Sequence, residues 1–287
     1  MARLNKAWQE LGAQRPKNLN EERLQLHWAA QPLSAVAGAC IARLPDDSHS
    51  NLGWDHAAGA FVTRAFPGDY TAALAVAGFR LQWREPDGTP LSRFALQGNT
   101  LEAALSWLGD HVRSTLGDPA AGSLRLPDYE MPEHAVAGGQ PFSGGDSDRR
   151  AELARWFADA DIVLAEIEQD NEGSSEVRNW PHHFDTGLLI ALEPDKDPGQ
   201  ARSIGVGFSP GDGGTPQPYY YVNPYPRPQA RALPALSSGG RWEQESFFGA
   251  VLTGDALIAG GDAAGQHERA RAFLDTAVDA CRDLLGV

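Results

Sequence analysis

Two series of short runs rich in β-branched and aromatic residues, punctuated by turn residues, constrain this chain more than any other feature. The first series is GAFVTRAF, YTAALAV, FRLQWRE and SRFALQ, with Pro67-Gly68-Asp69 and Pro86-Asp87-Gly88 as turns between runs. Proline presets one backbone angle and glycine accepts the positive φ that tight turns need, so the segment predicts an antiparallel meander. The second series is FDTGLLIAL, RSIGVGFS, PYYYVNPYP and FFGAVLT. Helical periodicity brackets both series. A helix is predicted from Asn20 as cap through Leu44, kinked or split at Pro32. A second begins at an Asn99 cap, carries Leu101, Ala104, Leu105, Leu108, Val112 and Leu116 as one stripe, and stops at Gly117. A third, capped by Asp146 or Ser147, places Leu153, Trp156, Phe157, Ala160, Val163, Leu164 and Ile167 on its apolar positions. The last runs from about Ala263 to Leu285 with Ala270, Phe273, Leu274, Val278, Cys281 and Leu285 inward.

The expected fold class is therefore α+β, in two antiparallel-sheet-plus-helix halves. Residues 1–117 form the first, 146–287 the second, and 118–145, rich in Pro, Gly and polar residues, a linker or wrapping loop. The halves share an order of elements, and Trp54-Asp55-His56 and Trp180-Pro181-His182 stand at one common offset. Both features suggest an internal duplication, against coincidence in a chain of this length.

Composition narrows the classes of partner. With 42% hydrophobic and 22% charged residues, the 287-residue chain has material for a substantial core. A formal net charge of −14 disfavours nucleic acid and anionic membranes, which both require clustered cations. No apolar run is long enough for a membrane span, and the first residues lack the pattern of a secretory signal. The two cysteines, Cys40 and Cys281, have no metal-finger spacing and are expected as buried thiols. A cytoplasmic location follows as the expectation, and the wealth of Ala, Gly, Arg and Pro suits a bacterial genome. Neither a cofactor nor an oligomeric state is indicated.

The run from Trp180-Pro181-His182-His183-Phe184-Asp185 through GVGFSPGDGGTPQPYYYVNPYPRP to the closing helix resembles a large bacterial family catalogued as a domain of unknown function. Leu26-His27-Trp28 and Gln31, then Asn51 and Trp54 leading into GAFVTR, agree in order, so the resemblance covers most of the chain. It implies no activity. It also gives no weight to His182 or His183, because the family pattern emphasises the positions of Phe184 and Asp185.

No catalytic motif assembles. The glycine-rich stretch from Ser209 lacks the Lys-Ser or Lys-Thr of a phosphate loop and leads into a strand, so a wide hairpin turn is expected. No GxSxG, HExxH or dinucleotide-binding fingerprint is present. If the residues around His183 form a strand, His183 and Asp185 point one way and offer two metal ligands, with His27, Asp55 or His56 as the third. The simpler alternative is a mutual hydrogen bond. Prolines 216, 218, 224 and 226 suggest that the Tyr219-Tyr220-Tyr221 strand is an edge, with Tyr219, Tyr221 and Asn223 on one face. Three functional readings follow. The first is a small-molecule-binding protein with a cleft between the halves, lined by Trp54, His56, Trp180, His183, Asp185, Tyr219 and Tyr221. The second is a metal-dependent, hydrolase-like enzyme using His183 and Asp185. The third is a protein-interaction module presenting an aromatic edge strand.

Overall fold

A computed structural model describes residues 7–117, 123–196, 200–229, 232–245 and 247–287. The chain is α+β, the described residues forming five α-helices and two antiparallel sheets of five and six strands. Its residues group into two units. One comprises residues 19–154 and 179–184, the other residues 7–18, 155–178 and 185–287. Among the described residues, no helix is long and apolar enough to cross a membrane.

The first unit is organised by α1 (Asn20–Cys40) and a sheet of β1 (Gly53–Asp55), β2 (Ala60–Val62), β3 (Thr71–Ala75), β4 (Arg80–Arg84) and β5 (Pro90–Ala95) in sequential order. That is the meander expected from the turn residues. Side chains alternate across it. Trp54, Phe61, Leu74, Leu81 and Trp83 are buried on one face. On the other, Ala60, Ala73 and Ala75 form a shallow apolar floor. Arg84 Nη1, itself buried, lies 2.8 Å from Asp55 Oδ2.

Helix α1 corrects two expectations. It runs unbroken through Pro32, and its first cap is Leu19, which makes no side-chain cap bond, instead of Asn20. A proline costs a helix one N–H bond and crowds the preceding turn. Here burial of nearly every residue from Glu22 to Ala37 holds the segment helical. Helix α2 (Leu101–His111) is capped by Thr100, one residue beyond Asn99, and its stripe continues through a wider turn to Gly117 in the left-handed conformation. Residues 118–122 of the expected linker lie outside the described residues. The remainder is anchored within this unit, Trp28 Nε1 donating to Pro132 O and Gly144 N to Gln25 Oε1. Helix α3 (Ser147–Asp170) starts where Asp146 Oδ1 accepts from the backbone of Asp148 and Arg149.

The second unit holds β7 (Asp185–Ala191), β8 (Ser203–Ser209), β9 (Tyr219–Tyr225), β10 (Arg241–Glu243) and β11 (Gly249–Thr253). With β6 (Arg178–Trp180), the order is β10-β11-β9-β8-β7-β6. Short α4 (Gly254–Ile258) precedes α5 (Ala263–Leu285). Trp156 and Phe157 pack on Phe208, and Phe208 on Tyr220. Phe273, Leu274, Val278 and Cys281 of α5 are buried as the periodicity predicts. Cys281 is a buried free thiol, whereas the free Cys40 is only half-buried.

The tyrosine strand is not an edge. β9 pairs with β8 along its length and with β11 from Tyr219 to Val222. Of the four prolines, only Pro224 lies within the strand, and it falls beyond the last residue that pairs with β11. The missing N–H is tolerated because the strand has a single neighbour there. The interaction reading thereby loses its exposed edge.

Candidate functional site

Residues 179–184 lie far along the sequence from the unit they join, and three contacts hold them there. Asn179 and Leu52 exchange antiparallel backbone bonds, each 2.9 Å. From α1, His27 Nε2 and Gln31 Nε2 both donate to the carbonyl of Pro181, each at 2.9 Å. A carbonyl can only accept, so Nε2 carries the proton and Nδ1 does not. Burial lowers the pKa of His27 to about 4, which keeps the ring neutral near pH 7. Its imidazole also stacks on Phe184 (5.3 Å between centroids, 10° between planes), and Phe184 packs on Phe61. Phe184 has φ +59°, a costly conformation for a bulky L-residue, and these two rings fix it.

That left-handed residue overturns the strand reading of this motif. β6 ends at Trp180, the chain turns through Pro181 to Phe184, and β7 begins at Asp185. Alternation is broken, so His183 and Asp185 do not share a strand face. His183 is exposed, and Asp185 accepts a hydrogen bond from the Tyr221 hydroxyl. Of the suggested third ligands, His27 is bound to Pro181 and Asp55 to Arg84. Among the described residues, no three His, Cys, Asp or Glu side chains gather so as to hold a metal ion. The metal reading therefore finds no third ligand among the described residues.

The pinned segment forms one wall of a cleft of about 980 Å³ that lies wholly within the first unit. Its floor is the last two turns of α1, with Ser34, Ala35, Gly38 and Ala39. These continue the helix face that carries His27 and Gln31, since positions 27, 31, 34 and 38 recur at helical spacing. Small residues leave the floor open, and a Cβ added at Gly38 would meet nothing within 4 Å. A second wall is the loop after α1, supplying Arg43, Asp46, Asp47, His49 and Ser50. A third is residues 123–129, including Arg125, Asp128 and Tyr129.

Aromatic groups meet at the pinned wall. His182 makes edge contacts with Trp180 (6.2 Å) and Tyr129 (6.0 Å). The Tyr129 hydroxyl donates to Gln31 Oε1 (2.5 Å), and burial pushes its pKa up to about 12, so it remains a donor. Gln31 thus ties Tyr129 and Pro181 to one helical turn. On the loop wall, Asp46 Oδ1 accepts from both the hydroxyl (2.7 Å) and the backbone N–H (3.1 Å) of Ser48. The hydroxyl bond and then the backbone bond hold Asp46 below the usual carboxylate range.

The cleft takes up only one of the expected site residues, Trp180. Trp54 is buried in the core against Phe61, with His56 at its edge. In the second unit, Tyr219 donates to Asp212 (2.5 Å) and Tyr221 to Asp185. Burial and then these carboxylates hold both hydroxyls well above their ordinary pKa. Sequence reasoning missed Ser34, Gly38, Arg43, Asp46 and Tyr129. The available signal was a polar row, His27, Gln31 and Ser34, on a helix otherwise composed to be buried. No family model matches the chain, and neither a curated protein nor a solved structure matches it.

Proposed function

We propose that this protein binds a small organic molecule in the cleft between the end of α1, the loop that follows it and the Trp180–His182 wall. One observation carries the reading: a cavity of about 980 Å³ whose aromatic wall is anchored from beneath by two α1 side chains on one carbonyl. Ligand sites are typically concave, largely preformed and supplied with a few oriented polar groups, and this cleft has all three properties. A wall held by His27 and Gln31 reduces the ordering that binding would otherwise require.

The test is a ligand-observed NMR screen of metabolite mixtures against the wild type and Gly38→Leu. Leucine is favoured over glycine in a helix and would project into open space, so the variant should fold and fill the cleft. Compounds that bind the wild type and not Gly38→Leu support the proposal. Binding that survives both Gly38→Leu and Trp180→Ala would place the ligand elsewhere and overturn it.

A further inference from the structure

The lining of the cleft limits the charge its occupant can carry. Three carboxylates, Asp46, Asp47 and Asp128, share the cavity with two guanidiniums, Arg43 and Arg125. Arg43 Nη2 lies 3.3 Å from Asp47 Oδ1, so one cation and one anion already face each other. An anionic ligand would meet three carboxylates, and a cationic one two guanidiniums. In either case a like charge is brought close, a repulsion that the exposure of these side chains weakens but does not abolish. A wholly apolar ligand would leave the Asp, Arg and Ser groups of the lining without hydrogen bonds from it.

An uncharged polyol avoids both penalties. Each hydroxyl donates one hydrogen bond and accepts others, so a single molecule can give to Asp46 or Asp128 and take from Arg43 or Arg125. Ser48 occupies Oδ1 of Asp46, and Oδ2 is the oxygen left to accept. The aromatic wall supplies the complementary half. Trp180 is half-exposed and stands with His182 and Tyr129, offering ring surface to a face of C–H groups. In the same lining, the small residues Ala35, Gly38 and Ala39 and the open space in front of Gly38 leave room for a molecule to lie against the helix. Resting on the reading of this cleft as the ligand site, we infer that its ligand is a carbohydrate: a neutral, polyhydroxylated ring with one apolar face on Trp180.

Saturation-transfer NMR with separate panels of neutral mono- and disaccharides, sugar phosphates, amino acids and organic amines tests this. Neutral saccharides should show transfer with the wild type and lose it with Gly38→Leu. Trp180→Ala should weaken them about tenfold, as loss of an aromatic platform does. Leu189→Ala, in the second unit, should leave binding unchanged. If amino acids, amines or sugar phosphates bind in place of neutral saccharides and are blocked by Gly38→Leu, the cleft reading stands and the carbohydrate inference falls. If saccharides bind all variants equally, or nothing in the panels or the metabolite mixtures binds, both fall.

Discussion

The two units place similar chemistry, aromatic rings beside carboxylates, to opposite ends. In the second unit the polar tips satisfy one another: Tyr221 donates to Asp185 and Tyr219 to Asp212. The Tyr221 ring lies flat over β8, where a Cβ at Gly207 would stand 2.5 Å from it, and Gly205 is similarly overlaid by Asn223. The hydrogen-bonding capacity of that face is directed inward. In the first unit the buried bonds lie beneath the surface, from His27 and Gln31 to Pro181, while Trp180, Asp46 and the arginines above them face a cavity. Tyrosine and aspartate in a sheet are thus not evidence of a site. What matters is whether their polar atoms are already engaged with each other.

The largest effect should come from acid. Because burial lowers His27 to about 4, the unfolded chain takes up this proton below its ordinary value of 6.5 while the folded chain does not. The stability contributed by the neutral ring is complete above pH 6.5 and is lost as pH falls toward 4, amounting to about 3 kcal/mol. Urea titrations at pH 7 and pH 4.5 should show this loss in the wild type and a smaller one in His27→Gln. Equal losses would mean that the wall is not held by a neutral imidazole.

Next in size is Tyr221→Phe, which removes the donor to a half-buried carboxylate and should cost about 1–3 kcal/mol. Cleft binding should not change. A change would mean that the Tyr221–Asp185 bond belongs to the binding site. Gly207→Ala should cost about 1–3 kcal/mol through overpacking, and much less in a Tyr221→Ala background, where the obstructing ring is gone. Simple additivity of the two would refute the stacked geometry. The smallest effect on stability is expected for Gly38→Leu, within about 1 kcal/mol of wild type and in the favourable direction. Marked destabilisation would show that the space in front of Gly38 is filled.

Much of the architecture was legible in advance. The strand runs, the hairpin around the glycine-rich stretch after Ser209 and the inner faces of the last two long helices all follow from local pattern. Pro32 and the tyrosine strand misled for the same reason. A proline announces a missing N–H but not whether the surroundings can do without it, and here a buried helix and a locally one-sided strand both can. The candidate site was far less legible. Trp180 was noticed, but it was grouped with Trp54, which is core, and with tyrosines engaged by their own carboxylates.

Periodicity and turn chemistry act over a few residues, so the sequence by itself determined the α+β class, the antiparallel runs and the alternation that sets Tyr219, Tyr221 and Asn223 apart from Tyr220. The tertiary structure decided where the Asn179–Phe184 segment packs, because that depends on two α1 side chains finding one carbonyl more than 140 positions away. It also decided which polar atoms remain available. A hydrogen bond between distant residues leaves no trace in local pattern, yet it separates a ligand-facing cleft from a self-satisfied sheet.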